Sequence, residues 1–142
     1  MTDAFFDAFR KQLEKHEGLR LKPYRDTVGK LTIGIGRNLD DKGITRDEAL
    51  FMLRTDIAEC LADLKTFPWF KGLNEVRQRV VLDMRFNLGP KGFRGFVGTL
   101  AAIEAGDYAG AATRMLASKW ATQVKGRADT LADMMRTGEE TT

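Results

Sequence analysis

The chain has 142 residues, 43% hydrophobic and 30% charged, with a net charge of +3 at pH 7. That composition excludes a disordered polymer and suffices for one domain, or one domain with two lobes, to bury a core. The pI near 9.1 suits an anionic partner such as a cell wall, but Lys and Arg never run longer than two in a row, which argues against nucleic acid. Cys60 is the only cysteine, so no intramolecular disulfide forms, as suits a reducing cytosol. No 18-residue apolar stretch is present to insert stably in a membrane. Asp3 and Asp7 interrupt the apolar opening, so no secretory signal is expected and export would need another route.

Phe5, Phe6, Phe9 and Leu13 recur at helical spacing, which predicts an amphipathic helix over residues 3–16 ended by Gly18. Pro23 and the Thr27-Val28-Gly29-Lys30 turn break the helical pattern. Leu31-Thr32-Ile33-Gly34-Ile35-Gly36 alternates with period two, which predicts a strand. Its Leu31, Ile33 and Ile35 face calls for a core; its Thr32, Gly34 and Gly36 face is nearly bare, as where a ligand or backbone approaches closely.

Asp40 to Gly43 is a loop. Thr45-Arg46-Asp47-Glu48 is a capping box, and Leu50, Leu53, Ile57, Leu61 and Leu64 continue a helical stripe to Pro68. Cys60 lies on or beside that stripe as a small core residue. Asn74 caps a second apolar helix carrying Val76, Val80, Val81, Met84 and Leu88, closed by Gly89-Pro90. Short helical patches separated by glycines follow, then a last helix from about 126 to 136 and a frayed tail over 138–142.

Glu17 stands where the first helix ends. The negative end of the helix dipole and partial burial beside Leu19 and Leu21 would keep its carboxyl protonated, as a general acid requires. Asp26 adjoins a tight turn, where backbone amides and Arg25 would keep it charged. Thr32 offers a hydroxyl from the bare face. Glycosidic hydrolysis needs such a set: one carboxyl to protonate the leaving oxygen, one to stay ionised, and a held water.

The segment Glu17-Gly-Leu-Arg-Leu-Lys-Pro-Tyr-Arg-Asp26-Thr, followed by Thr32-Ile-Gly-Ile-Gly36, resembles the phage-type lysozymes, the endolysin muramidases of glycoside hydrolase family 24. The likeness continues through Gly43-Ile-Thr-Arg-Asp-Glu-Ala49, Asn87-Leu-Gly89, Gly95-Phe96, Leu100, Ser118-Lys-Trp120, Gln123, Arg127-Ala128 and Arg136-Thr-Gly138, and so covers nearly the whole chain. It implies an α+β, mostly α, lysozyme-like two-lobed fold. The small β-containing lobe would take about 17–45 and the inter-lobe helix about 45–66. The helical lobe would take about 67–138, joined by the N-terminal helix 3–16.

The resemblance further implies hydrolysis of the β-1,4 bond between N-acetylmuramic acid and N-acetylglucosamine in peptidoglycan, with inversion. Glu17 would be the proton donor, Asp26 the second carboxylate, and Thr32 would help place the water. Arg127 would pair with Glu17 and lower its pKa, against the helix-end effect; sequence leaves that balance open. Asn87, Arg127, Gly34 and Gln123 would bind the glycan. No cofactor or metal is implied. The protein would be a monomer held in the host cytoplasm until a holin releases it to the wall in the periplasm.

Departures from the family pattern are Arg37, where the best-known member has a structural His, a shorter 37–43 stretch, and Ala121, where an aromatic is common. A lytic transglycosylase using Glu17 alone would not need Asp26 and Thr32. A non-catalytic wall-binding or tail-associated module would not need any of the three. His16 beside Glu17 reads as a solvated helix residue, and Ser118, the only serine, stands in no nucleophile elbow. Trp69 and Trp120 read as packing residues rather than sugar platforms.

Overall fold

The computed structural model describes residues 1–141; Thr142, the end of the predicted frayed tail, lies outside them. The element order is α1 (Asp3–Glu17), β1 (Arg20–Arg25), β2 (Leu31–Gly34), β3 (Arg37–Asn38), α2 (Arg46–Leu64), α3 (Glu75–Arg94), α4 (Val97–Glu104), α5 (Tyr108–Leu116), α6 (Lys119–Val124) and α7 (Gly126–Thr137). A 3₁₀ turn over Phe70–Gly72 precedes α3. The result is α+β, mostly helical, with one antiparallel sheet in the order β1-β2-β3. The chain divides into two compact units, Met1–Phe51 and Met52 onward, with the division inside α2.

In the first unit, the Thr2 hydroxyl accepts from the Phe5 amide and starts α1, and Gly18 at φ 76° ends it. The chain then returns as β1, a strand that the helix-breaking reading of Pro23 did not anticipate. β1 is an edge strand, where a missing N–H is tolerated, and its register shifts between Arg20 and Tyr24. The predicted strand over 31–36 is also shorter than expected. β2 stops at Gly34 (φ 68°), and Ile35-Gly36 forms a turn with Gly36 at φ 72°. Period-two alternation ends there, so Gly36 does not share a pleated face with Thr32. The faces are reversed too: Thr32 is buried at 3% exposure, while Leu31 and Ile33 are half-buried.

The capping box forms as expected. The Thr45 amide donates to Glu48 Oε1 and the Glu48 amide to Thr45 Oγ1. Arg37 grips the same carboxylate with two bonds, 3.0 and 2.6 Å, and donates to the Gly43 carbonyl at 3.0 Å. It thereby ties β3 to the start of α2, a structural role like the one expected of the residue it replaces.

The second unit carries the main core, around Leu64, Val80, Val81, Met84, Phe93, Met115 and Met135. Asn74 caps α3 by accepting from the Arg77 amide. Gly89 (φ 76°, ψ 171°) breaks the helical path before Pro90, so the predicted stop is a kink from which helix resumes to Arg94. Cys60 is buried. Beside it, Asp63 accepts from Arg85 Nε (2.6 Å) and from both Arg94 amino groups (2.9 and 2.6 Å). Arg77 closes the end of α7, donating to the carbonyls of Met135 and Arg136 while its guanidinium stacks 3.7 Å from the Tyr108 ring centroid. Among the described residues, no helix is long and apolar enough to cross a membrane.

Candidate active-site residues

Glu17 is the last residue of α1, and the positive-φ Gly18 turns the chain immediately after it. Its side chain lies against the Ile35-Gly36 turn: a Cβ on Gly36 would stand 3.2 Å from Glu17 Cγ, Cδ and Oε2. A side chain at position 36 would require Glu17 to give way by a few tenths of an ångström. The apolar flank expected around Glu17 is absent, because Glu17, Leu19 and Leu21 are all exposed. The short β1 is an edge strand with few neighbours to cover those leucines.

Asp26 shapes the β1–β2 hairpin. Its amide donates to the Lys30 carbonyl, and its carbonyl accepts from Gly29, which stands at φ 85°. This is a type I turn completed by a left-handed glycine. The side-chain Oδ1 accepts from the amides of Val28 (3.0 Å) and Lys30 (2.8 Å). The expected amide support is therefore present, but Arg25 is engaged elsewhere, with Asp40 at 3.5 Å and the Gly29 carbonyl at 3.2 Å. Both bonds to Asp26 fall on Oδ1, and Oδ2 has no hydrogen-bond donor among the described residues.

Thr32 pairs with Tyr24 across β1–β2 and with Asn38 across β2–β3. Its hydroxyl donates to the Lys30 carbonyl at 2.9 Å, so it can offer a water only its acceptor lone pairs. Lys30 thus meets both residues, through its amide to Asp26 and its carbonyl to Thr32. Gly34 pairs with Arg20, and a Cβ there would meet nothing within 4 Å.

The other predicted residues lie in the second unit. Asn87 is exposed on α3, and its Oδ1 accepts from Trp120 Nε1 at 2.8 Å. This orients the amide and leaves its NH₂ free to donate. Trp120 is buried and packs edge-on against Phe96, a packing role as read from sequence; Trp69 is half-buried against Phe67. Arg127, near the start of α7, donates from Nε (2.9 Å) and Nη2 to Asp83 Oδ1. Gln123 is exposed near the end of α6. Sequence reasoning missed Asp83 as the Arg127 partner, since a lone Asp in a helix carries no signal. It also missed the contact of Gly36 with Glu17; the second glycine of Gly34-Ile35-Gly36 was the available sign. Among the described residues, no group of three or more His, Cys, Asp or Glu stands ready to hold a metal ion.

The small sheet, the helical second unit and the carboxylate-bearing hairpin define an α+β protein of the lysozyme type. The chain belongs to the phage lysozyme family, whose model matches residues 14–136. It is 31% identical, over 90% of its length, to the pre-baseplate central spike protein Gp5 of Enterobacteria phage T4, but spans only 27% of that protein. It is also 31% identical to an endolysin of Acyrthosiphon pisum secondary endosymbiont phage 1, covering 87% of this chain and 85% of that one. A probable T4-type lysozyme 1 of Dictyostelium discoideum is 26% identical, over 92% of this chain and 95% of its own.

Proposed function

We propose that this protein is an endolysin-type muramidase that hydrolyses the β-1,4 bond between N-acetylmuramic acid and N-acetylglucosamine in peptidoglycan. Glu17 protonates the leaving oxygen, and Asp26 with Thr32 positions and activates the water that attacks with inversion. The observation that carries this reading is the seating of the Glu17 carboxylate on the Gly36 turn, in the same compact unit as the hairpin that holds Asp26 and Thr32. Asp26 Oδ1 is held by two amides, and its other oxygen is available to accept a proton from water. Asn87, Gly34, Gln123 and Arg127 contribute to glycan binding. The chain acts as a monomer, waits in the host cytoplasm for holin-dependent release, and meets its substrate in the periplasm.

The test is turbidity loss of outer-membrane-permeabilised Gram-negative cells by wild type beside Glu17→Gln. The amide is isosteric but cannot supply the proton, so clearing by wild type alone is expected. Product mass spectrometry then separates hydrolysis from transglycosylation: reducing muramic ends are expected, and anhydro-muramic ends would overturn the hydrolytic reading. A second reading, a wall-engaging module of a phage tail, is favoured by one observation, the match to a quarter of a baseplate spike protein. Binding of purified wall without any clearing would select it.

A further inference from the structure

The backbone of Lys30 and Leu31 links Asp26 to Thr32, and all of its polar groups are held. The Lys30 amide donates to Asp26 Oδ1 at 2.8 Å. The Lys30 carbonyl accepts from the Asp26 amide and from the Thr32 hydroxyl, each at 2.9 Å. The Leu31 carbonyl accepts from the Leu39 amide at 2.7 Å. In a hydrogen-bonded antiparallel pair the two residues exchange both of their bonds, but Leu31 and Leu39 exchange only this one. β3 ends at Asn38, and the chain then turns, so that the Leu39 carbonyl accepts from the Gly43 amide at 3.0 Å instead. The Leu31 amide donates to a side chain in its place, Asp40 Oδ2 at 2.8 Å.

The loop that carries Asp40 is itself fixed. The Asp41 amide donates to Asn38 Oδ1, and Asp41 Oδ2 accepts from Asn38 Nδ2, both at 3.0 Å. Asp41 Oδ1 accepts from Lys30 Nζ at 3.1 Å. Two consecutive acids therefore hold two consecutive residues of the hairpin, Asp40 by the main chain of Leu31 and Asp41 by the side chain of Lys30. The two ties are unequal. Lys30 and Asp41 are an exposed ion pair on a flexible stem, which constrains the backbone little. The bond from Leu31 to Asp40 is a charge-assisted bond made directly to the backbone, so it limits where the peptide can lie.

We propose that Asp40 is a positioning residue for Asp26 and Thr32. Its carboxylate stands in for the strand partner that Leu31 lacks, and through the Lys30–Leu31 peptide it sets where the Asp26 carboxylate and the Thr32 hydroxyl stand relative to each other. This role rests on the reading of that pair as the groups that place the attacking water. Asp40 itself takes no part in the chemistry. What it supplies is an acceptor oxygen at one place, not a negative charge, and the two are separable by substitution.

The experiment compares wild type, Asp40→Ala and Asp40→Asn on purified peptidoglycan, well below their melting temperatures, with hydrogen exchange of the Lys30 and Leu31 amides measured alongside. Asp40 is exposed, so both variants are expected to fold. Asp40→Ala is expected to lower kcat about fivefold or more while KM stays within about twofold, because a loosened reacting group costs turnover rather than binding. Asp40→Asn keeps an oxygen for the Leu31 amide and is expected to restore most of that kcat. Exchange at both amides should quicken in Asp40→Ala and remain slow in Asp40→Asn. Full kcat in Asp40→Ala, an effect confined to KM, or an Asp40→Asn as impaired as Asp40→Ala would overturn the proposal. So would faster exchange at Leu31 with Lys30 unmoved, since the tie would then stop short of Asp26. Wild-type protein without turnover would overturn the muramidase reading and this proposal together, whereas wild-type turnover with an unaffected Asp40→Ala overturns this proposal alone.

Discussion

The Glu17 carboxylate lies against the backbone of Gly36, so that a methyl group on Gly36 would stand 3.2 Å from three atoms of the Glu17 side chain. Gly36 also stands at φ 72°, which an alanine adopts at a cost of about 1 kcal/mol. Gly36→Ala is therefore expected to push the carboxylate aside rather than unfold the protein. A displacement of about 1 Å at a reacting group lowers turnover by roughly 100-fold, so the few tenths of an ångström demanded here are expected to lower it by less, roughly several-fold. The check is kcat beside the melting temperature: a variant with full turnover would show that Gly36 does not position Glu17.

Asp26 has a structural duty and a proposed chemical one, and two substitutions separate them. Asp26→Asn keeps an oxygen to accept from the Val28 and Lys30 amides but removes the charge. Asp26→Ala removes both. The first is expected to retain the melting temperature and lose most turnover; the second is expected to lose turnover and about 1 kcal/mol of stability, as hydrogen bonds at a turn typically contribute. Wild-type turnover by Asp26→Asn on purified peptidoglycan would remove Asp26 from the mechanism.

The legible and illegible parts of this chain divide along physical lines. The capping box at Thr45 and Glu48, the Asn74 cap and the helices around the second-unit core follow from local rules, and they formed as read except that α3 kinks at Gly89 and resumes to Arg94 instead of stopping there. Glu17, Asp26 and Thr32 are proposed as catalytic because a dense motif names them. What was missed depends on pairing across distance in sequence. β1 contains a proline and lacks alternation, and it is a strand because β2 lies beside it. Thr32 is buried in the central strand, opposite Tyr24 on one side and Asn38 on the other, and β2 ends at a left-handed Gly34 instead of running on to Gly36. Arg127 meets Asp83, 44 positions away, and no local pattern announces such a partner.

Acid is expected to destabilise the protein through two carboxylates in particular. The Thr45 amide, with Arg37 behind it, holds Glu48 down at about 2 against an ordinary 4.5. Arg94, with Arg85 behind it, holds Asp63 at about 2 against 3.8. Both groups bind protons more weakly folded than unfolded. Their contribution is therefore complete above about pH 5 and is lost as pH falls from there toward 2. Asp63→Asn leaves the buried Arg85 guanidinium without its countercharge, at a cost of about 2 kcal/mol at pH 7, below the full penalty for a completely buried pair because Asp63 is partly exposed. Melting temperatures from pH 7 to 2.5 check this. The wild type should fall steeply below pH 4.5 and the variant should start lower and fall less, whereas parallel curves would show that Asp63 contributes nothing to the acid limb.

Gly138 is constrained twice, by conformation and by space. It ends α7 in the left-handed region at φ 71°, with its amide donating to the Met134 carbonyl. A Cβ there would also stand 2.8 Å from Arg77 Nη1 and 2.9 Å from Asn74 Nδ2. Those two side chains bind the last carbonyls of α7, Asn74 at Gly138 and Arg77 at Met135 and Arg136. Gly138→Ala is expected to cost about 2 kcal/mol, roughly half from the left-handed backbone and the remainder from the disturbed Arg77 and Asn74. Gly138→Asn distinguishes the causes, because asparagine tolerates the left-handed region but brings the same Cβ. Urea unfolding should find both variants destabilised, with asparagine the milder. If asparagine restored wild-type stability, backbone conformation alone would explain the glycine, and the crowding against Arg77 would be without consequence.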